Sequence, residues 1–466
     1  MAWASVFYGF NVWILDVQDV FYPDEKWTMA TGGPIYAFSL GSVISPDIFI
    51  ASRLAKFGFR NVFITGLVLA CVGILLTGLA VQLTALWLFY LGWSVLVGLG
   101  CWSMYLPAIT ACVQWFREAG HAGWGAGFAG LTIGLWPAAF AYVKTPLVSV
   151  FGLPGSFYAA AIGIFGICAP SGWFLQTPAE VPLDADDTDY VECAQRDDKD
   201  TEESTAASAP SLQPEPDQPL RTREFIKQPL FWLQSIHYIL LFAPSLGIKF
   251  LIAPMMLATF EANNDIQSAA SLIFLLSYAL ARLATGLLVG PIISARWMHT
   301  ATVAIQCPIL AATGLLVRFG PHPSDAGGVA ATWGFIVLNA AVGCTLASAK
   351  VCISLLMIEL WGPQNLTVAV AGTLTAFHIA AIVGPLLSWA SLTTGSLSGD
   401  MSDLSKGVTT VSEDSRSMLV KSVSLYFWGA SAMTLVAFFL ALRLRPYSRA
   451  DESESSSSES DVSDEQ

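Results

Sequence analysis

TPAEVPLDADDTDYVECAQRDDKDTEESTAASAPSLQPEPDQPLRTRE, residues 177–224, is the polar interruption whose reading decides how this chain is organised. Thirteen of the chain's 35 acidic residues lie here, between Glu180 and Asp217, and the stretch from Ser204 to Pro219 is rich in Ser, Ala and Pro. So charged a segment cannot bury enough apolar surface to offset the entropy lost on folding. We read residues 177–228 as an acidic, disordered linker. Limited proteolysis is expected to cut rapidly between Asp184 and Gln218 and to leave two intact halves. Resistance there, with cleavage elsewhere, counts against this reading.

Six long apolar stretches lie on each side of the linker, over 1–21, 29–52, 61–82, 85–116, 122–146, 155–176 and then 229–258, 266–292, 299–318, 327–361, 364–393, 421–444. A bilayer core needs about 20 apolar residues per helix. The expected fold is an all-α membrane protein of twelve transmembrane helices in two six-helix bundles, 1–176 and 229–444, with an acidic, Ser-rich tail over 445–466. Two related halves of six are the layout of many secondary transporters. Composition agrees: 54% of residues are hydrophobic, 12% are charged and mean hydropathy is +0.59. A soluble domain carries about 25% charged residues. Sixteen Trp and twelve Tyr suit two membrane–water interfaces.

The net charge of −13 belongs to the polar segments, since seven further acidic residues lie between Asp451 and Glu465. It says nothing about a substrate. Alternating Ser and acidic residues in the tail suit solvated chain or a phosphorylatable tail. Seven of the eight cysteines sit in apolar runs and Cys193 in the linker, without metal-ligand spacing, so neither a disulfide framework nor a metal site is expected. Nor does any nucleophile–base set, phosphate loop or other cofactor signature appear, and an enzyme is not expected. The N-terminus lacks a basic region ahead of its apolar run, so no cleaved signal peptide is read; the first span is short and leaves room for residues ahead of Met1.

Lys and Arg set the orientation. With both termini cytoplasmic, thirteen lie on the inner side and six on the outer; Lys249, Arg282 and Lys350 complete the 22. The Asn365 glycosylation sequon then falls on a cytoplasmic loop and is discounted. The membrane itself, plasma or organellar, is left open.

Those three cations lie inside apolar spans, at a cost of at least about 2.5–3.5 kcal/mol each on insertion scales. Arg282 precedes Arg296 by 14 residues, about 21 Å of helix, too far to snorkel. Helical phase places Tyr278, Arg282 and Thr285 on one stripe. It does the same for Asn339, Gly343, Lys350 and Ser354, for Tyr238, Ser245 and Lys249, and for Trp102 and Tyr105. Polar stripes on apolar helices are expected to face a central cavity. His378, on a stripe with Thr375, is either a proton relay or a satisfied interior histidine. Asp16, Asp19 and Asp47 are candidate proton-coupling carboxylates near span ends. A weak internal repeat supports the two halves: Val97-Gly98 stands to Tyr105 and Phe116 as Val342-Gly343 stands to Lys350 and Trp361.

Several motifs resemble the major facilitator superfamily, and within it the oxalate/formate antiporter-like and monocarboxylate transporter branch. The superfamily's G-x-L-x-D-R-x-G-x-R loop is matched over Ala51 to Arg60 by Lys56, Gly58 and Arg60, with Ala55 in place of the usual Asp. In the second copy Gly290 replaces that Asp. Tyr105-Leu106-Pro107 followed by Trp115-Phe116 is similar to the branch's fourth span. Ala281-Arg282 with Gly286 is similar to its eighth, whose arginine the resemblance implies binds a substrate carboxylate. Thr375 to Ala381 is similar to its eleventh, where oxalate-type members carry a lysine; Phe377 stands there instead.

The expected activity is secondary active transport of a small organic anion, a mono- or dicarboxylate, by alternating access in a monomer. A counter-substrate or proton would be the coupling partner, with no nucleic acid and no cofactor. Arg282, Lys350, Tyr105, Trp102, Tyr278 and His378 are the candidate substrate-binding residues. A transporter of neutral or zwitterionic solutes such as an amino acid, and a non-transporting receptor or scaffold, remain alternatives.

Overall fold

A computed structural model of the chain describes residues 13–23, 37, 40, 57–119, 121–176, 222–262, 264–321, 325, 327–362, 365–393 and 413–444. Most of expected span two, the linker up to residue 221, the tail from residue 445 and Asp47 lie outside the described residues.

The described chain is almost wholly helical. Backbone N–H and C=O groups in lipid must be satisfied within the segment, and a helix does this alone. In order come α1 (Ile14–Phe21), α2 (Phe59–Gln82), α3 (Leu86–Phe89), a π-helical stretch (Tyr90–Val97), α4 (Gly98–Glu118), α5 (Ala122–Trp173), α6 (Thr222–Lys227), α7 (Pro229–Phe260), α8 (Asn264–Leu288), α9 (Ala295–Phe319), α10 (Gly328–Trp361), α11 (Leu366–Thr393) and α12 (Glu413–Arg443). Among the described residues nine helices are long and apolar enough to cross a membrane. Their outer faces carry bare hydrophobic side chains: Trp87, Val150, Ile162 and Trp297 are 70–73% exposed. Apolar surface on that scale calls for lipid.

Several boundaries differ from the sequence expectation. The stretch read as two spans with a loop at 147–154 stays helical up to a break at Gly152, where φ is 71°. That left-handed backbone is open to glycine at little cost, and Pro154 fits the first turn of the helix that follows. Gly58, with φ 75°, similarly turns the chain into α2. Span twelve begins at Glu413 rather than 421. Helix α6 lies inside the segment expected to be disordered to 228; Phe225 is buried, its ring centre 4.3 Å from that of Trp361 and 5.3 Å from that of Phe231. Aromatic packing holds that end of the linker to the second bundle.

In the first bundle, α2 packs on the π-helical stretch and α4 through glycines: a methyl at Gly66 would lie 2.8 Å from Gly100 O, and one at Gly92 2.8 Å from Thr77 Oγ1. Small residues let membrane helices approach closely. Asp16 of α1 forms an ion pair with Lys144 of α5. In the second bundle, α7 bends at Leu251 (φ −120°, ψ 20°), one turn before Pro254. Proline lacks the N–H and crowds the carbonyl four residues back, so a bend there has a local cause.

The two bundles meet along α5 and α8. Gly123, Gly127, Gly130 and Gly134, spaced 4, 3 and 4, form one face of α5. Ala279, Arg282 and Gly286 answer from α8, and Val289 from just past its end. A methyl at Gly286 would lie 2.5 Å from Gly127 Cα, and one at Gly134 2.7 Å from Ala279 Cβ. At the end where α5 begins, Ala122 packs on a buried cluster of Val289, Ala295, Cys352 and Leu355.

Candidate functional site

Arg282 leaves α8 midway along the seam between bundles. Its side chain lies across Gly130 of α5: a methyl there would come 2.8 Å from Arg282 Cδ, so the missing Cβ makes the room. Nη1 donates to Gly130 O at 3.4 Å. The guanidinium carbon is 5.1 Å from the centre of the Tyr278 ring, and Lys249 Nζ reaches the same ring at 4.6 Å. Arg282, Lys249 and Tyr278 are all buried. Like charges flank one aromatic ring, which attracts both through its quadrupole.

Lys350, partly buried on α10, sits over the Phe377 ring of α11, with Nζ 3.3 Å from the centroid. Lys249 and Lys350 both feel the charge of Arg282, and Lys350 that of Lys249 as well. The three cations therefore occupy one neighbourhood. On α4, Trp102 packs on Tyr105 at 5.8 Å, and across to the second bundle on His378 at 4.1 Å and Phe377 at 6.1 Å. From α2 to α12 every described Asp and Glu lies within two turns of a helix end: Glu118, Glu224, Glu261, Asp265, Asp325, Glu359, Glu413 and Asp414. The middles of the described spans thus hold three basic side chains and no carboxylate.

The structure joins the candidates into two groups. Trp102, Tyr105 and His378 form an aromatic bridge with Lys350 through Phe377; Arg282 and Tyr278 form a second group that also takes in Lys249. Other members of the stripes do something else. Thr285 donates to Ser348 at 2.7 Å and so ties α8 to α10. Asn339 donates to the Phe335 carbonyl of its own helix at 2.8 Å. Tyr238 stacks on Phe242 at 5.6 Å, inside the second bundle rather than facing the first. Asp16 is held by Lys144, a structural role for one of the three candidate carboxylates. Sequence reasoning missed Gly130 as the floor beneath Arg282 and Phe377 as the cover on Lys350. The 4-3-4 glycine spacing of α5 was the available signal for the first; nothing local signals the second.

Two helical bundles meeting around a charged, aromatic centre inside a membrane define a transporter fold. The chain belongs to the major facilitator superfamily, whose family model matches residues 27–385. It is a multi-pass membrane transporter, and the superfamily's members are transporters rather than enzymes. A search of the curated proteins gave no match. Among solved structures it is similar to the fucose:proton symporter FucP of E. coli, at 12% identity over 96% of this chain and 98% of that one, TM-score 0.54. It is similar also to the human organic anion transporter MFSD10 (TETRAN), at 13% identity over 94% of this chain and 97% of that one, TM-score 0.56. Identities this low speak for the fold alone.

Proposed function

We propose that the chain carries a small organic anion, a mono- or dicarboxylate, by alternating access around the Arg282 neighbourhood. One observation carries this reading: Lys249, Arg282 and Lys350 share a centre with aromatic walls while the described carboxylates stay at helix ends. Positive charge in a span is expensive, and a carboxylate entering from water would relieve it. Arginine's planar fork suits a carboxylate held by two hydrogen bonds. Phe377 holds Lys350 through a cation–π contact that a solute carboxylate can outcompete, so Lys350 serves as the second, movable cation. The oxalate/formate or monocarboxylate branch suggested by the spans around Tyr105, Arg282 and Thr375 fits the same chemistry.

A thermal-shift screen of the purified protein tests the class. A ligand that binds only the folded state at a hundred times its Kd stabilises by about 2.7 kcal/mol. Small carboxylates are expected to raise the melting temperature, and neutral sugars and zwitterionic amino acids to leave it unchanged. Stabilisation by an amino acid and by no organic acid would reject the anion reading. Lys249→Gln is expected to weaken the carboxylate response less than Lys350→Gln, because Lys249 is held behind Tyr278.

A further inference from the structure

Where α7 and α9 begin, away from the Arg282 neighbourhood, two buried histidines form a second, closed arrangement. His237 and His299 are 0% and 1% exposed, with their Nε2 atoms 2.8 Å apart. His237 Nδ1 lies 2.8 Å from Ala437 O on α12. A carbonyl only accepts, so Nδ1 carries the hydrogen. Neutral His237 then presents a lone pair at Nε2, and His299 must donate to it from its own Nε2. Among the described residues, His299 Nδ1 is left as a buried lone pair with no hydrogen-bond partner. The hydrogen-bond chain thus fixes both tautomers and leaves one vacancy for a proton.

A proton in that vacancy would be strained. An imidazolium at His299 would sit four residues into α9, near the positive end of the helix dipole and inside a span, where charge is costly. Besides the pair, the described ionisable groups on the surrounding elements are Tyr238 and Lys249 on α7, Arg296, Cys307 and Arg318 on α9, Cys344, Lys350, Cys352 and Glu359 on α10, His378 on α11, and Glu413, Asp414, Arg416, Lys421, Tyr426 and Arg443 on α12. Of these Tyr238 touches the pair, its ring centre 4.9 Å from that of His237 and 5.6 Å from that of His299. Glu359 accepts from the backbone of Ala295 and Arg296, so a carboxylate stands at the start of α9. A run of packed rings leads from the pair to the central cations. Tyr238 stacks on Phe242 at 5.6 Å, Phe242 meets Phe377 at 5.4 Å, and Phe377 carries Lys350.

We propose that His237 and His299 are the proton-binding site that couples transport to a pH gradient. One proton from water is taken up on His299 Nδ1, giving an imidazolium with both nitrogens protonated, and is given back to water later in the cycle. The neutral pair holds α7, α9 and α12 closed. The charged pair loosens them, and the Tyr238–Phe242–Phe377 rings pass the shift to Lys350. This rests on the chain being a transporter and not on the chemistry of its solute.

The test has two arms. The full chain, in nanodiscs and labelled with 15N-histidine, holds only five histidines, so its ring-nitrogen spectrum is sparse. His121→Gln, His322→Gln and His378→Gln identify the pair by elimination, so assignment does not depend on variants of the pair folding. Between about pH 8 and 5, the range in which histidines change charge, one Nδ1 signal of the pair should move from lone-pair to N–H position. If both rings keep their neutral signals down to the low end, the proposal is overturned. In the second arm, proteoliposomes take up radiolabelled succinate with and without an imposed pH gradient. The gradient should drive accumulation in the wild type, and His299→Gln should lose that drive by about tenfold, within the usual range of coupling between linked sites, while keeping exchange without a gradient. Succinate uptake indifferent to the gradient would also overturn the coupling. No succinate uptake at all would count against the anion reading alone, and the nitrogen spectrum would then decide the proton site.

Discussion

Arg282→Gln is expected to abolish anion uptake in proteoliposomes while the protein still inserts and folds. The residue is buried, lies at the seam between the bundles and shares Tyr278 with Lys249. Removing one partner of a buried, hydrogen-bonded charge pair costs about 2–5 kcal/mol. That is roughly thirtyfold to several thousandfold in affinity. Glutamine keeps some of the packing over Gly130 but loses the charge. Arg282→Lys keeps the charge and loses the fork, so it should still bind poorly. Lys350→Gln should fall between Arg282→Gln and the milder Lys249→Gln, or match the former if Lys350 closes on the solute. Carboxylate uptake with unchanged affinity and rate in a normally inserted Arg282→Gln protein would reject the site.

Gly286→Leu should be nearly as damaging without touching any candidate ligand. A side chain at Gly286 meets the Gly127 backbone at 2.5 Å and Gly123 O at 2.6 Å, and neither can rotate away. Overpacking a tight contact costs about 1–3 kcal/mol and occasionally more. If alternating access requires α5 and α8 to close at this end, a penalty near 3 kcal/mol depletes the closed state about a hundredfold. Uptake should fall accordingly. Cys352, buried in the cluster with Ala122 and Val289, should then become open to thiol reagents. Gly166→Leu is the control, since none of the described residues lies within 4 Å of its missing side chain. Normal uptake with Cys352 still protected in Gly286→Leu would show that this seam does not close and open in the cycle.

The twelve-span reading came from hydropathy, and nine described helices agree with it, because lipid imposes one local solution on every apolar run of sufficient length. Where it erred, local signals conflicted with packing. Phe225 sits at the end of an acidic segment, yet its packing on Phe231 and Trp361 outweighs the composition around it. The loop expected around Pro146 and Pro154 shrank to Gly152 alone because prolines fit helix starts and membrane helices.

The site was legible to a lesser depth. Helical phase identified Arg282, Tyr278 and Lys350 as residues that must leave the lipid, since a cation in a span has few other places to go. Phase alone cannot choose between a face turned to the other bundle and one turned to a neighbour in the same bundle. Thr285 and Tyr238 took the second course, Trp102 and Arg282 the first. The sequence by itself therefore determined the fold class and which cations lie inside the spans, because these follow from the cost of moving polar groups into lipid. Only the tertiary structure decided that Gly130 makes room for Arg282, that Phe377 covers Lys350 and that His237 meets His299 across 62 residues, because each depends on how separate helices lie against one another.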